Sequence, residues 1–330
     1  MKIILSEEFV SNPIVSIVIP SYNRSETIGQ TIDSVLNQQC RFEFEIIIGD
    51  DCSTDNVREV LLAYQKKYPA KIALLFYEKN IGLGANWATC VQHCKGKYLA
   101  NCDNDDYWHN PQKLHLQVDY LETHPECGVV HTNYRNHNRI TAEINEIDVS
   151  NCVYEEPLIK SIFTGKFQFC NATMMYRMEL VKSKINLDDY IKFQFSLQDW
   201  NTWIILSKYT SFHCLPDSTA TFGIETESIT RPQSYDKLEK RLVEEKKMYK
   251  YLCDLFPEDL PFDENGYDLY VNSILLNLAY KKLDYTKANY NGHEMINKGS
   301  KKFKVYMSQN RLGFYLYYSL VKIRLLFKMK

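Results

Sequence analysis

The first half of the chain alternates buried-strand patterns with amphipathic stretches, and this order constrains the fold more than any other feature. Residues 15–20 (VSIVIP) form a continuous apolar run, as a strand buried on both faces requires, and residues 45–49 (EIIIG) form the next strand. Between them, Ser25 can cap a helix whose apolar residues share one face. Further strands are predicted at 72–77, 97–102 and 128–131, and further helices at 57–64, 85–94 and 112–123. This order predicts an α/β fold with a mostly parallel, Rossmann-like sheet flanked by helices.

The second half predicts a different organisation. Residues 132–196 mix β-branched, aromatic and polar residues, with antiparallel strands expected around 173–176 and a helix beginning near residue 196. Beyond residue 231 the pattern is helical, with segments predicted at 237–252, 266–284 and 314–329. We therefore expect an α/β domain over 1–230, divided into halves 1–131 and 132–230, and a helical C-terminal region over 231–330.

Charge is distributed unevenly along the chain. The net charge is −2, which indicates no general affinity for nucleic acid. Residues 301–330 nevertheless carry eight Lys or Arg and no acidic residue. Segment 311–330 combines these cations with aromatic and aliphatic residues, which suits either an anionic membrane surface or packing on protein. Membrane binding and packing on protein both stay open for this segment. The formation of a homo-oligomer also stays open.

The spacing of the cysteines and the lack of long apolar stretches indicate the cellular compartment of the protein. The ten cysteines form no tight framework, which is typical of reduced thiols in a cytosol-like environment. The N-terminus, MKIILSEEFVSNP, lacks the apolar length of a signal peptide, and no stretch reaches the roughly 18 apolar residues of a membrane span. We expect a cytoplasmic protein, with peripheral attachment to the inner face of the cell membrane as an extension of that expectation.

Acidic residues cluster where the predicted strand at 97–102 ends. Asp103, Asp105 and Asp106 stand within four residues, and their mutual repulsion costs stability unless a positive charge neutralises it. Because ligands collect at the carboxyl ends of parallel strands, we expect a divalent cation, Mn²⁺ or Mg²⁺, at this edge. The alternative is a solvated acidic turn.

Three further residues have two readings each. Tyr22 follows the first strand and can stack on a base or simply pack in a turn. Asp51 follows the second strand and can accept a hydrogen bond from a base. The alternative here is helix capping by Ser53 or Asp55, which is compatible with that role because it involves different residues. Asp199 lies in the first turn of a helix, where it either complements the helix dipole or acts as a general base.

Five segments in order carry a family resemblance: SIVIPSYNR (16–24), EIIIGDDCSTD (45–55), NIGLGANWA (80–88), GKYLANCDNDDYW (96–108) and SLQDWNTW (196–203). Together they resemble family 2 of the glycosyltransferases, which are inverting enzymes with the GT-A fold. The resemblance implies transfer of a sugar from a nucleotide-diphosphate donor, most commonly a UDP-sugar, to a hydroxyl of a glycan or lipid-linked acceptor. Such a hexosyl- or hexosaminyltransferase would act in the synthesis of a cell-surface polysaccharide or glycan.

The resemblance also implies roles for individual residues. Residues 1–131 would bind the nucleotide and residues 132–230 the acceptor. Asp105 would bind the metal, Asp199 would be the general base, and Asp106 and Trp200 would contact or support the donor sugar. The nucleotide would be bound by Pro20, Tyr22, Asp51 and Asp103.

The sequence departs from the family pattern at two places. Gln198 stands where relatives often carry Glu, which puts a second carboxylate beside Asp199 in doubt. Residues 222–230 align with a segment whose His can reach the metal, and Glu225 occupies that His position while Gly223 occupies an Arg position. Glu225 is therefore predicted as a second metal ligand, with a flexible polar loop as the alternative.

Other functions fit the sequence less well. A sugar nucleotidyltransferase would carry a Gly-rich basic loop after the first strand, where this chain has SYNRSET. A dehydrogenase is disfavoured because the G-x-G-x-x-G pattern is absent. A catalytically inactive nucleotide- or carbohydrate-binding module remains the alternative from another class.

Overall fold

The computed structural model describes residues 1–150, 157–165, 169–225 and 234–328, with side chains through residue 319. The chain forms two compact units, Met1–Thr226 and Glu227–Lys330. The first unit contains the sheet, and the second is helical.

The first unit is built on one mixed sheet. Its strands, numbered along the chain, are β1 (Lys2–Ile4), β2 (Val15–Ser21), β3 (Phe44–Asp50), β4 (Ile72–Phe76), β5 (Tyr98–Asn101), β6 (Tyr107–Trp108), β7 (Cys127–Asn138), β8 (Glu143–Ile147), β9 (Met175–Arg177) and β10 (Ser211–Ile224). The strand order is β1-β4-β3-β2-β5-β9-β7-β10-β6, and β8 pairs with β7. The long pairings β2–β3, β3–β4, β2–β5 and β7–β10 are parallel, whereas the shorter strands add antiparallel ladders.

Helices cover the sheet of the first unit. They are α1 (Ile28–Leu36), α2 (Val57–Lys67), α3 (Leu83–Gln92), α4 (Lys113–Thr123), α5 (Leu158–Phe163), α6 (Met178–Lys184), α7 (Leu187–Phe193) and α8 (Gln198–Ser207). Every residue of β2, β3, β4 and β5 is buried, which explains why these strands read as continuous apolar runs. In α1, Ile28, Ile32 and Val35 repeat at helical spacing and pack into this core.

The second unit has its own core. Its helices are α9 (Tyr235–Leu255), α10 (Glu264–Lys281), α11 (Tyr285–Asn297), α12 (Phe303–Met307) and α13 (Arg311–Lys328). The first three are capped by the side chains of Ser234, Asp263 and Asp284. Phe314 of α13 is fully buried and stacks on Tyr280, with ring centroids 4.7 Å apart. No helix within the described ranges is both long and apolar enough to cross a bilayer.

The predicted fold class is confirmed: a mixed, mostly parallel sheet flanked by helices, followed by a helical region. The structure corrects several details. Ser25 does not cap α1, because the helix begins after Thr27 and the Ser25 N–H donates to Asp55 instead. The long strand β10 was not predicted, because its first eight residues, 211–218, are exposed or half-buried and mix polar with apolar side chains. The assignment of nucleotide and acceptor halves stays a prediction.

Candidate active site

The acidic residues lie in a loop directly after β5, and α1 fixes the backbone of that loop. The Thr27 hydroxyl donates to the carbonyl of Asn104 at 2.7 Å, and the Thr31 hydroxyl donates to the carbonyl of Asp106 at 2.7 Å. The Asn104 amide also reaches the Ser21 hydroxyl at 3.3 Å, at the end of β2. The carboxyl ends of β2 and β5 and the start of α1 therefore form one rigid edge, as expected for a parallel sheet.

The end of β10 and the residue after β7 hold the same loop from the other side. The Gly223 N–H donates to Asp106 Oδ1 at 2.9 Å, and Arg139 Nη2 donates to the backbone carbonyl of Asp105 at 2.6 Å. Arg139 also lies 3.8 Å from the Glu225 carboxylate. A Cβ on Gly223 would stand 2.4 Å from the Asp105 carbonyl, so only glycine permits this close approach.

Buried amides orient Asp103. The Trp87 indole donates to Asn101 Oδ1 at 3.0 Å, Asn101 donates to Asn171 Oδ1 at 3.1 Å, and Asn171 donates to both carboxylate oxygens of Asp103 at 3.2 Å. Each amide is almost fully buried. Such a fully connected chain of hydrogen bonds fixes the position of the carboxylate.

Asp199 lies in the first turn of α8. Its Oδ1 accepts the N–H of Trp200 at 2.8 Å, and the indole of Trp200 donates to the carbonyl of Ile162 at 3.0 Å. The charge of Asp199 contributes to raising the pKa of Asp103, so the two carboxylates interact across the site. Gln198 is buried, and its Oε1 has no hydrogen-bond partner in the part of the chain that the structure describes.

The carboxyl groups of the site bind protons more tightly than ordinary aspartates. Burial, reinforced by the charges of Asp105 and Asp199, raises the pKa of Asp103 to about 7. Burial also raises the pKa values of Asp105, Asp106 and Asp199. The guanidinium of Arg24, 3.5 Å from Asp105 Oδ2, opposes the increase at Asp105. The protein thus supplies part of the positive charge that the acidic cluster requires.

The residues predicted to contact a nucleobase lie at the ends of β2 and β3. Pro20 is buried within β2, opposite Gly49 of β3, while the ring of Tyr22 is 45% exposed. Both carboxylate oxygens of Asp51 accept backbone N–H groups, from Ile81 at 2.6 Å and from Gly82 at 2.9 Å. Asp51 therefore fixes the loop before α3, and each of its oxygens keeps a further acceptor position.

The side chains of the site suit a hard cation held mainly by its substrate. Within residues 1–150, 157–165, 169–225 and 234–328, no three His, Cys, Asp or Glu side chains are arranged to bind a metal. Asp105 and Glu225 nevertheless interact electrostatically, and Asp106 Oδ2 is buried without a partner among the described residues. Cations such as Mg²⁺ are commonly bound by one or two carboxylates together with substrate phosphates and water, and this donor set fits that mode.

The structure adds residues that the sequence did not assign. Arg24, Arg139, Asn101 and Asn171 contact or orient the acidic loop. Arg24 lies inside the segment SYNR, whereas nothing in the local pattern around Asn171 indicates its role. Residues 226–230 of the segment aligned with the family's His motif lie outside the described residues. A cavity of about 500 Å³ beside α1 and β6 is lined by none of the predicted site residues.

Comparisons with known proteins identify the family of the chain. A family model described as "Glycosyl transferase family 2" matches residues 16–183. A putative teichuronic acid biosynthesis glycosyltransferase of Bacillus subtilis, TuaG, is 35% identical over 122 residues, which are 37% of this chain and 47% of TuaG. The matches to the most similar curated relatives span about a third to a half of those proteins.

Two solved structures share the fold. S. aureus TarS 1–349 in complex with UDP has a TM-score of 0.52 and 18% identity, covering 86% of this chain and 88% of that chain. The mannosyltransferase PcManGT from Pyrobaculum calidifontis, in complex with GDP-Man and Mn²⁺, has a TM-score of 0.52 and 15% identity, covering 90% of this chain and 79% of that chain. At these identities the likeness shows the fold, and the predicted GT-A type is confirmed.

Proposed function

Because the chain belongs to family 2 of the glycosyltransferases, we propose that it is an inverting, metal-dependent enzyme that transfers a sugar from a nucleotide diphosphate to an acceptor hydroxyl. The observation that carries the proposal is the placement of two buried carboxylates: Asp103, held by Asn171 in the loop after β5, and Asp199, in the first turn of α8, whose charge contributes to raising the pKa of Asp103. In this proposal, two segments that are far apart in the sequence contribute a cation-binding edge and a general base to one site.

The nucleotide would bind along the ends of β2 and β3. The partly exposed Tyr22 would stack on the base, Pro20 would line the same pocket, and Asp51 would accept a hydrogen bond from a base N–H. Asp103 would accept a hydrogen bond from the ribose. A UDP-sugar carrying a hexose or hexosamine is the donor that we propose, and it is consistent with the UDP and UDP-GlcNAc complexes of TarS.

The diphosphate would lie at the acidic loop. Asp105 is the residue proposed to hold a divalent cation, with Glu225 as a second ligand and Asp106 and Trp200 supporting the donor sugar. A bound Mn²⁺ or Mg²⁺ would supply neutralisation of the charge on the leaving diphosphate. The Mn²⁺ in the PcManGT structure supports this choice of metal.

Asp199 would act as the general base. The acceptor oxygen attacks the anomeric carbon on the face opposite the diphosphate, the bond from that carbon to the diphosphate oxygen breaks, and Asp199 takes the acceptor proton. A single displacement of this kind inverts the anomeric centre. Because burial raises the pKa of Asp199, its basicity is shifted toward neutral pH, where a general base is most effective.

The acceptor and its place in the cell are also proposals. The name of TuaG supports a role in polysaccharide synthesis. We propose a glycan or lipid-linked acceptor bound by the half 132–230, and a cytoplasmic enzyme that contacts the inner face of the membrane through 311–330. The family assignment disfavours a sugar nucleotidyltransferase, and an inactive binding module is the outcome that a lack of turnover would support.

Release of UDP from a panel of UDP-sugars with Mn²⁺, using water as the acceptor, tests the function. We expect Asp199→Asn to lower the rate about 10²- to 10⁴-fold, the usual contribution of general-base catalysis, while affinity for the nucleotide sugar is unchanged. Asp254→Asn, an exposed aspartate of α9, is the matched control. Parent-level turnover in Asp199→Asn, or no turnover by the unmodified protein on any nucleotide sugar, contradicts the proposal.

A further inference from the structure

The second unit contains a cavity that is separate from the residues assigned to sugar transfer. It has a volume of about 670 Å³ and lies between α10 and the segment after α11. Leu269, Tyr270 and Ser273 line it from one face of α10, and the buried Met295 of α11 contributes an apolar wall. This volume is within the range of small-molecule sites, about 300–1,000 Å³.

The lysine-bearing wall of the cavity has a fixed backbone. Gly299, with φ +84°, lies two residues after the last residue of α11, and its N–H donates to the carbonyl of Ile296 at 2.8 Å. The next N–H, of Ser300, donates to the carbonyl of Met295 at 2.8 Å. These two bonds form a Schellman motif, which fixes the direction in which the chain leaves the helix. Lys301 and Lys302 follow directly and line the cavity.

Two lysines and no acidic residue line the cavity. Of the acids near it, Asp268 pairs with Lys246 and Lys298, Glu264 pairs with Lys246, and Asp263 accepts the Gly266 N–H at 2.9 Å as the cap of α10. Lys301 and Lys302 are exposed and form no ion pair with any residue that the structure describes. An anionic group would therefore be attracted to this wall.

The opposite wall offers a flat ring. Tyr270 is 52% exposed and lines the cavity together with Leu269 and Met295. A sugar ring presents apolar C–H faces that pack on such a surface, while Ser273 offers a hydroxyl to its polar edge. From this combination we propose that the cavity binds a saccharide that carries a phosphate or carboxylate group. The binding does not require sugar transfer, so the two proposals fail separately.

Isothermal titration of the full chain with glucose 1-phosphate, glucuronate, glucose and inorganic phosphate tests the site. We expect one or both anionic sugars to bind, and glucose and inorganic phosphate each to bind at least about tenfold more weakly, because each lacks one of the two recognised features. Lys301→Ala/Lys302→Ala should weaken the anionic sugar at least about tenfold, and its binding should weaken with added salt. Tyr270→Ala should weaken the anionic sugar more than inorganic phosphate.

Two controls separate this cavity from other sites. Lys281→Ala/Lys282→Ala removes two exposed lysines at the end of α10 that do not line the cavity, and should leave binding unchanged. Asp105→Ala should also leave it unchanged, because that residue belongs to the first unit. The inference is wrong when neither anionic sugar binds, when the Lys301/Lys302 variant binds like the parent, or when inorganic phosphate binds as tightly as the sugar phosphate.

Discussion

Gly223 illustrates how a single residue determines the shape of the site. The sequence aligns it with an Arg of relatives, but its backbone N–H donates to Asp106 and its Cα lies against the Asp105 carbonyl. The chain supplies positive charge from Arg139 instead, which contacts the same carbonyl. The acids themselves were predictable because they follow a strand end, whereas Arg139 and Asn171 were not, because their contacts join distant segments.

Gly223→Ala should displace the acidic loop. A Cβ would stand 2.4 Å from a backbone oxygen, which cannot rotate away as a side chain can. We expect weaker metal-dependent binding of a nucleotide sugar, by at least about tenfold, measured by calorimetry. Gly29→Ala in α1 is the control, since its Cβ would meet only ordinary contacts and alanine favours helix. Equal affinity in the two variants would show that the close approach does not shape the site.

The raised pKa of Asp103 predicts a pH dependence of stability. Between the ordinary aspartate pKa of 3.8 and about 7, the folded protein retains a proton that the unfolded chain releases, so stability falls as pH rises through this window. We expect urea unfolding in the presence of a chelator to show that the free energy of unfolding falls less between pH 5 and pH 8 for Asp103→Asn than for the parent. An identical decline would mean that Asp103 has an ordinary pKa in the folded state.

Among the strands of the sheet, those that are buried on both faces were predicted most closely from the sequence. The strands β2 to β5 were predicted closely because full burial on both faces leaves an uninterrupted apolar pattern. Only the buried start of β7 was predicted, because that strand continues into half-buried polar residues, and β10 was missed because its first eight residues are exposed or half-buried. The C-terminal end of β10 and the residue after β7 hold the acidic loop, so two poorly predicted strands complete the site.

Helix α1 contributes to the site through threonines rather than through its apolar stripe. Thr31 is fully buried, and its hydroxyl donates to the Asp106 carbonyl. Thr31→Val keeps the shape but removes this donor, which should cost about 1–3 kcal/mol in the free energy of unfolding. Thr123→Val is the control, because that exposed hydroxyl bonds only its own helix and the adjacent His124. Equal losses of stability in the two variants would exclude an anchoring role for Thr31.

At the scale of the whole molecule, the helical unit is more than a solvated appendage. Phe314 of helix α13 is buried in the core of the second unit. Leu312, Tyr315 and Leu316 of the same helix are exposed and lie on one face, at helical spacing. The start of the helix thus packs on protein and also presents an apolar face. The cationic side chains of 322–330 lie outside the described side chains. Membrane binding and packing on protein, the two roles predicted for residues 311–330, are therefore both compatible with the described part of α13.

The membrane proposal predicts co-sedimentation of the full chain with vesicles containing anionic lipid, and less with neutral vesicles. Leu312→Glu/Leu316→Glu should reduce that binding, because it places charge on the exposed apolar face. Val243→Glu/Leu255→Glu, which alters two exposed apolar residues of α9, is the matched control. Equal binding of both variants would assign the exposed face of α13 to another partner.

In the proposed mechanism, the carboxylates after β5 hold a cation against a nucleotide diphosphate, and Asp199 acts on the acceptor. Calorimetric titration of UDP-sugars, with Mn²⁺ and with chelator, tests it most directly. We predict that chelation weakens binding to the parent and to Asp199→Asn at least about tenfold, whereas Asp105→Ala binds equally weakly in both conditions. A full Mn²⁺ dependence in Asp105→Ala, or none in the parent, would contradict the account.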